Sequence, residues 1–222
     1  VPGHQWFDIE SSEDPEELTG DALAFATVLR ERTASWASED VDDLLLPDAG
    51  GALIAALSLA DPVSHHHLIH FGVHLGEGRV RGDRLHSQLF SLPGHPSGWA
   101  LTASGDPREL GAEAADWFRT VLRKPVVLYV WLHQGYAYAG RYAFADTGET
   151  LIQNYQRGRA PHGQADELIA AGHVHGRGWI QTTGLPRPDL YLHIHGNLDP
   201  GLIPPSIPVT TRRGPIAGIW YE

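Results

Sequence analysis

Apolar residues crowd both faces of residues 126–145. The run reads Val-Val-Leu-Tyr-Val-Trp-Leu-His, then Gln134-Gly135, then Tyr-Ala-Tyr-Ala-Gly-Arg-Tyr-Ala-Phe-Ala. β-Branched and aromatic arms around a two-residue link containing Gly predict a β-hairpin. A two-residue loop sets His133 opposite Tyr136, Trp131 opposite Tyr138 and Val127 opposite Tyr142, all on one face. Val126, Leu128, Val130 and Leu132 share the other face with Ala137, Ala139 and Ala143. A hairpin wetted on one side alternates apolar and polar residues, so this one needs cover on both. The aliphatic face is expected to seat a helix, the one carrying Trp117. The aromatic face needs a second layer, a ligand or another subunit.

Other periodicities place the remaining elements. Residues 5–10 read as a short strand. Asp14-Pro15-Glu16-Glu17 carries a helix start: a capping carboxylate, Pro at the first position and an acid three residues after the cap. Leu18, Ala22, Phe25, Leu29 and Trp36 continue it as an apolar stripe. Residues 44–59 are small and apolar, and predict a short buried helix over 51–60. In 65–75, strand spacing puts Ile69, Phe71, Val73 and Leu75 on one face and His66, His70 and His74 on the other. A turn at 76–78 leads into a second strand over 79–92, and 98–103 reads as another. Asp106-Pro107-Arg108-Glu109 opens a second helix striped by Leu110, Ala114, Trp117 and Val121. After the hairpin come a strand at 151–155, a short helix within 161–171, strands near 174–181 and 190–195, an irregular Pro-rich 200–208 and a terminal strand at 216–221. The fold class is α+β: one antiparallel sheet of about eight to ten strands with two principal amphipathic helices.

The two helix starts resemble each other, and Thr27-Val-Leu-Arg30 recurs as Thr120-Val-Leu-Arg123. Two organisations follow. Capping and amphipathicity can select such letters independently, within a single compact domain over 1–222. Alternatively, halves of about 1–92 and 93–222 repeat a strand–helix–hairpin unit, with both hairpins in one sheet and both helices on one face.

Charge divides the chain unevenly. The net charge is −11. Residues 1–50 hold thirteen Asp/Glu against Arg30 and Arg32, while 51–222 balance fourteen acids with fourteen bases. The acidic segment reads as a solvated helix and loops, or as a face for a basic partner or a nucleic-acid mimic. No basic stripe exists to neutralise phosphates along a strand, so nucleic acid is not expected as a partner. No apolar run of membrane-spanning length and no signal segment predict a soluble, cytoplasmic protein. The absence of Met suggests a trimmed or alternatively started N-terminus. Without Cys there are neither disulfides nor thiolate chemistry. Arginine outnumbers lysine fifteen to one, Lys124 being the single lysine, which reads as the codon bias of a GC-rich bacterium.

Candidate chemistry centres on histidine. There are fourteen. His173 with His175, and His193 with His195, stand two apart, so a strand would aim each pair to one side. Two such pairs on neighbouring strands would present four nitrogens to a divalent transition metal, Zn or similar, with Asp189 and Asp199 in reach. The competing reading is histidines hydrogen-bonded on half-exposed strands. For acid–base work the candidates are His133 at the hairpin tip and Tyr138 and Tyr142 on the aromatic face. Trp131, Tyr129 and Tyr136 are the candidates for holding a planar cofactor or ligand. No nucleotide-binding glycine loop or nucleophile elbow is present. The leading expectation is a small-molecule pocket lined by the aromatic hairpin, with a His-bound metal contributing, in an enzyme of specialised metabolism. The alternative is a non-catalytic homo-oligomeric module, a homodimer for example, that uses the acidic N-terminal region to hold a partner.

Overall fold

In the computed structural model, residues 5–9, 18, 20–47, 52–205, 207–210 and 217–218 are described. The chain divides into two units, residues 1–60 with 67–122 and residues 61–66 with 123–222. The fold is α+β, and its sheets are mostly antiparallel. Among the described residues no helix is long and apolar enough to cross a membrane.

The first unit is a five-stranded antiparallel meander with two helices. In chain order these are α1 (Gly20–Thr33), β1 (Val41–Pro47), β2 (Leu53–Ala60), β3 (His67–Gly76), β4 (Arg79–Arg84), β5 (Leu101–Ser104) and α2 (Pro107–Val121). The expected helix over 51–60 is instead β2. It lies between β1 and β3, and its residues are buried along most of its length, on both faces. Ala55, Leu57 and Leu59 stand opposite Val73, Phe71 and Ile69 on one face, while Ile54, Ala56 and Ser58 stand opposite His74, Gly72 and His70 on the other. A strand covered twice carries no alternation, so its Leu/Ala run reads like a buried helix. The Ile69/Phe71/Val73/Leu75 face is buried as expected.

Helix α2 lies against β3, β4 and β5 as well as α1. Asp106 caps it by accepting from the Arg108 N–H at 2.9 Å, with Pro107 in the first turn. Trp117 is taken up inside this unit: its indole N–H donates to the Trp99 carbonyl at 2.8 Å and its ring stacks on Trp99 at 6.2 Å. The other sheet face is covered by chain from 85–92. Leu85 and Ile54 form a small core there with Leu44, Leu46, Phe90 and Leu92. Gly72 makes this close approach possible, since a Cβ there would lie 2.1 Å from Leu85 Cδ1. Asp83 anchors the covering loop by accepting from the Arg84 and Ser97 N–H groups. Residues 5–9 form no strand; Trp6 is buried and its indole N–H is shared between the Ser38 and Val41 carbonyls. The capping sequence 14–17 lies outside the described residues.

The second unit contains a six-stranded sheet and a two-stranded ribbon. Its elements are β6 (Val126–His133), β7 (Tyr136–Phe144), β8 (Thr150–Tyr155), α3 (Gln164–Ala170), β9 (Val174–His175), β10 (Trp179–Ile180), β11 (Leu190–His195), β12 (Val209–Thr210) and β13 (Ala217–Gly218). The hairpins of the two units lie in separate sheets, and both principal helices belong to the first unit. Of the expected terminal strand, only β13 is described.

The central hairpin forms as expected at its tip and departs from expectation two residues in. Gln134 and Gly135 have φ of 50° and 82°, the paired positive values of a type I′ turn. His133 faces Tyr136, but then Leu132 pairs with Ala137 and Trp131 with Ala139, leaving Tyr138 as the extra residue of a bulge. A one-residue slip exchanges the faces. Val127 therefore pairs with Ala143, Tyr142 with Leu128, and Arg141 with Tyr129. The expected Trp131/Tyr138/Tyr142 face is thus split. Trp131 and Tyr138 pack with Ala139, Tyr129, Tyr155, Ala160 and Leu185. Tyr142 instead is fully buried and donates to Asp61 Oδ2 at 2.6 Å.

Candidate ligand-binding cleft

Each site residue named from the sequence can now be placed. Trp131 donates its indole N–H to the Pro186 carbonyl at 2.6 Å. Asp189 Oδ2 accepts from the Leu132 N–H at 2.6 Å, so the carboxylate extends the ladder just before β11 begins. Gln153 accepts from both the backbone N–H and the hydroxyl of Thr182. These three contacts hold 182–189 over the aromatic side of the sheet, so Trp131 and Tyr138 serve as core. Tyr138 is pushed above the usual tyrosine range, first by burial, so near neutral pH it is a hydrogen-bond donor and not a base.

Tyr129 lies beneath Arg141, whose guanidinium sits 4.8 Å from the Tyr129 ring centroid and 5.9 Å from that of Trp131. Burial lowers the Arg141 pKa, and its Nε is buried without a hydrogen-bond partner among the described residues. Tyr191, opposite Tyr129, is pushed up to about 12 by burial and then by Tyr129.

The two histidine pairs do not stand on neighbouring strands. β9 pairs with β10, whereas β11 pairs with β6 and β12. His173 precedes β9, and its ring fills the space above Gly184, where a Cβ would lie 2.2 Å from His173 Cγ. His175 is exposed. His193 donates Nε2–H to the backbone that follows it, at the His195 and Gly196 carbonyls, 2.9 and 3.0 Å away. The ladder shifts register between His193 and His195, so period 2 fails there. Among the described residues no three His, Asp or Glu side chains are grouped to hold a metal ion. Asp199 caps its own turn by accepting from the Gly201 N–H at 2.8 Å.

The expected histidine row is split: His70 and His74 lie on β3, the central strand of the first unit's sheet, whereas His66 belongs to the second unit. His66 falls outside β3, while His70 and Ser58 share a 2.6 Å hydrogen bond and His74 donates to the Phe90 carbonyl at 2.7 Å. Burial, then the charge of His67 stacked 5.6 Å away, lowers the His70 pKa from 6.5. The folded state therefore prefers neutral His70, and between its folded pKa and 6.5 the unfolded chain binds more protons. Stability from this group is complete above about pH 6.5 and is lost as the pH falls through the lower, folded value. Denaturant midpoints at pH 7.5 and 5.5 should show that loss, and His70→Gln should shrink the difference. An unchanged difference would assign the acid sensitivity elsewhere.

What converges on open space is the hairpin tip. His133, Gln134 and Tyr136 form one wall of a cleft of about 750 Å³, and residues 157–163 with Ala165 and Asp166 form the other. Tyr136 is 48% exposed although it sits in a strand. The Arg159 guanidinium lies 5.2 Å from the centroid of its ring. Arg157 Nη2 meets Asp166 Oδ1 at 2.5 Å, and His162 completes the rim. The wall from 157 to 163 is fixed from beneath: Arg159 N–H and Ala160 N–H both donate to the Gln156 carbonyl, and Gln156 N–H donates to that of Tyr138. Two of the predicted site residues, His133 and Tyr136, therefore belong to the cleft. Its two arginines and His162 were not among those predicted; Arg157-Gly158-Arg159 followed by Pro161-His162-Gly163 was the available signal, two basic steps separated by turn residues.

Among the described residues the cleft has one carboxylate, Asp166, which is engaged by Arg157, and Arg159 has no acidic partner. Comparison with known families, curated proteins and solved structures finds no match, so what the cleft binds is argued from its own chemistry.

Proposed function

We propose that the second unit binds a small anionic molecule in the cleft at the hairpin tip. The observation that carries this reading is Arg159, held against the Tyr136 ring without a counter-ion among the described residues, with His133, His162 and Arg157 around the same space. Stacking on an aromatic ring orients a guanidinium and leaves its edge donors for a carboxylate or phosphate, which it can meet with two parallel bonds. The charge distribution agrees. The first unit carries nineteen Asp/Glu against seven Arg, whereas the second carries eight acids against nine Lys/Arg.

Isothermal titration with inorganic phosphate tests the reading. The whole protein should bind it saturably, and Arg159→Ala should weaken binding about tenfold or more, the worth of a charge-assisted hydrogen bond. Arg119→Ala, a change to an exposed arginine of α2, should leave it unchanged. Equal binding by the parent and Arg159→Ala would remove this function from the cleft.

A further inference from the structure

Beside the cleft lies a groove of about 190 Å³ lined by Tyr155, Arg157, Ile169, Arg177, Trp179 and Ile180, with Gly178. Arg157 belongs to both linings, so cleft and groove are separated by the width of one side chain. Trp179 is 72% exposed. An indole left in water forgoes its burial energy, and aromatic rings of this kind are usually inside or at an interface. It stands on a short, tightly turned ribbon. Trp179 pairs with His175 across the β9–β10 ribbon, and the turn between them uses Gly176 and Gly178 at φ of 54° and 98°, a backbone that L side chains rarely adopt. The ribbon thus presents Trp179 and Arg177 as neighbours of the groove, and among the described residues no Asp or Glu lines it.

We infer that Trp179 forms a ring subsite for the molecule whose anionic group lies in the adjacent cleft, so that the ligand class is a phosphorylated planar heterocycle of nucleoside monophosphate type. The inference rests on the anion reading of the cleft. A groove of that volume holds about six waters, which suits one planar ring and little more. The cationic character of the surface is continuous: Arg159, Arg157 and Arg177 run from cleft to groove, against Asp166 as the single acid among the described lining residues. An exposed indole flanked by guanidinium groups offers a π-face to any nucleobase, and such stacking is worth roughly a fivefold to hundredfold gain in affinity per base.

The test compares inorganic phosphate, adenosine and adenosine 5′-monophosphate by isothermal titration on the full chain. The monophosphate should bind at least about tenfold more tightly than phosphate. Trp179→Ala should bring it to within about twofold of phosphate and leave phosphate itself unaffected, while Trp179→Phe should keep most of the gain. Since Trp179 is largely exposed, its removal has little core to disturb, and an unchanged phosphate isotherm verifies that. The inference is overturned if the wild-type protein binds the monophosphate and phosphate equally, or if the gain survives Trp179→Ala. Adenosine binding as tightly as its monophosphate would instead overturn the anion reading and leave the ring subsite standing. Absence of binding by all three would overturn both.

Discussion

Tyr142→Phe should lower the stability of the second unit by about 2 kcal/mol, although it removes a single oxygen from a well-packed ring. The reason is Asp61. Both residues have no exposed surface. Asp61 Oδ1 accepts from the Val63 and Ser64 N–H groups at 2.8 and 3.0 Å, and Oδ2 accepts from the Tyr142 hydroxyl at 2.6 Å. The Asp61 backbone closes the same turn, its N–H donating to the His66 carbonyl and its carbonyl accepting from His65. A buried carboxylate is tolerated only when donors replace its water, and losing a donor to an ionised group costs about 1.5–3 kcal/mol. Asp61→Ala should cost more, about 3 kcal/mol, because it leaves two backbone donors and the phenol without this acceptor. Amide hydrogen exchange across 61–66 is the sensitive readout: protection at Val63 and Ser64 should fall about 30-fold in Tyr142→Phe. The two changes should also be strongly non-additive in a double-mutant cycle. Additive effects would mean that the hydroxyl contributes packing and not the carboxylate bond.

Tyr142 also shows how much of this fold was legible. The hairpin, its two-residue turn and the His133–Tyr136 pairing follow from local chemistry, because an aromatic and β-branched run around Gln134-Gly135 has few other solutions. The bulge at Tyr138 carries no such mark. Neighbouring Ala137 and Ala139 fit either register, and only the shift decides that Tyr142 turns to Asp61 while Arg141 turns to Tyr129. Residues 53–60 failed for a different reason. Leu and Ala favour helix, and burial on both faces erased the alternation that identifies a strand. The histidine pairs failed because period 2 holds only inside one regular strand: His173 lies before β9, and β11 is irregular between His193 and His195. The cleft was half legible. Its hairpin wall came from pairing arithmetic, whereas the wall from 157 to 163 is non-local, and nothing in sequence spacing joins Arg159 to Tyr136.

Gly111→Val should destabilise the helical layer of the first unit by about 3 kcal/mol. Gly111 is buried in α2, where α1 crosses. A Cβ there would lie 2.7 Å from the Phe25 carbonyl oxygen, 3.2 Å from Val28 Cβ and 3.4 Å from the Leu29 nitrogen. Two of those three atoms are backbone, so no rotamer change relieves the contact and the helices must separate. Separation opens the layer in which Phe25, Leu29, Leu110, Ala114 and Phe118 are almost completely buried, together with the Phe7–Phe118 ring contact at 5.7 Å. Gly111→Ala sets two effects against each other. Helix propensity gains about 1 kcal/mol, while forcing a methyl group into a packed contact costs about 1–3 kcal/mol. Contact with fixed backbone puts the cost in the upper part of that range, so Ala should also destabilise, by about 1 kcal/mol net. Urea unfolding followed by circular dichroism at 222 nm, where α1 and α2 dominate the helical signal, decides between them. A stabilised Gly111→Ala protein would mean that propensity outweighs the clash and that the two helices are not held at this distance.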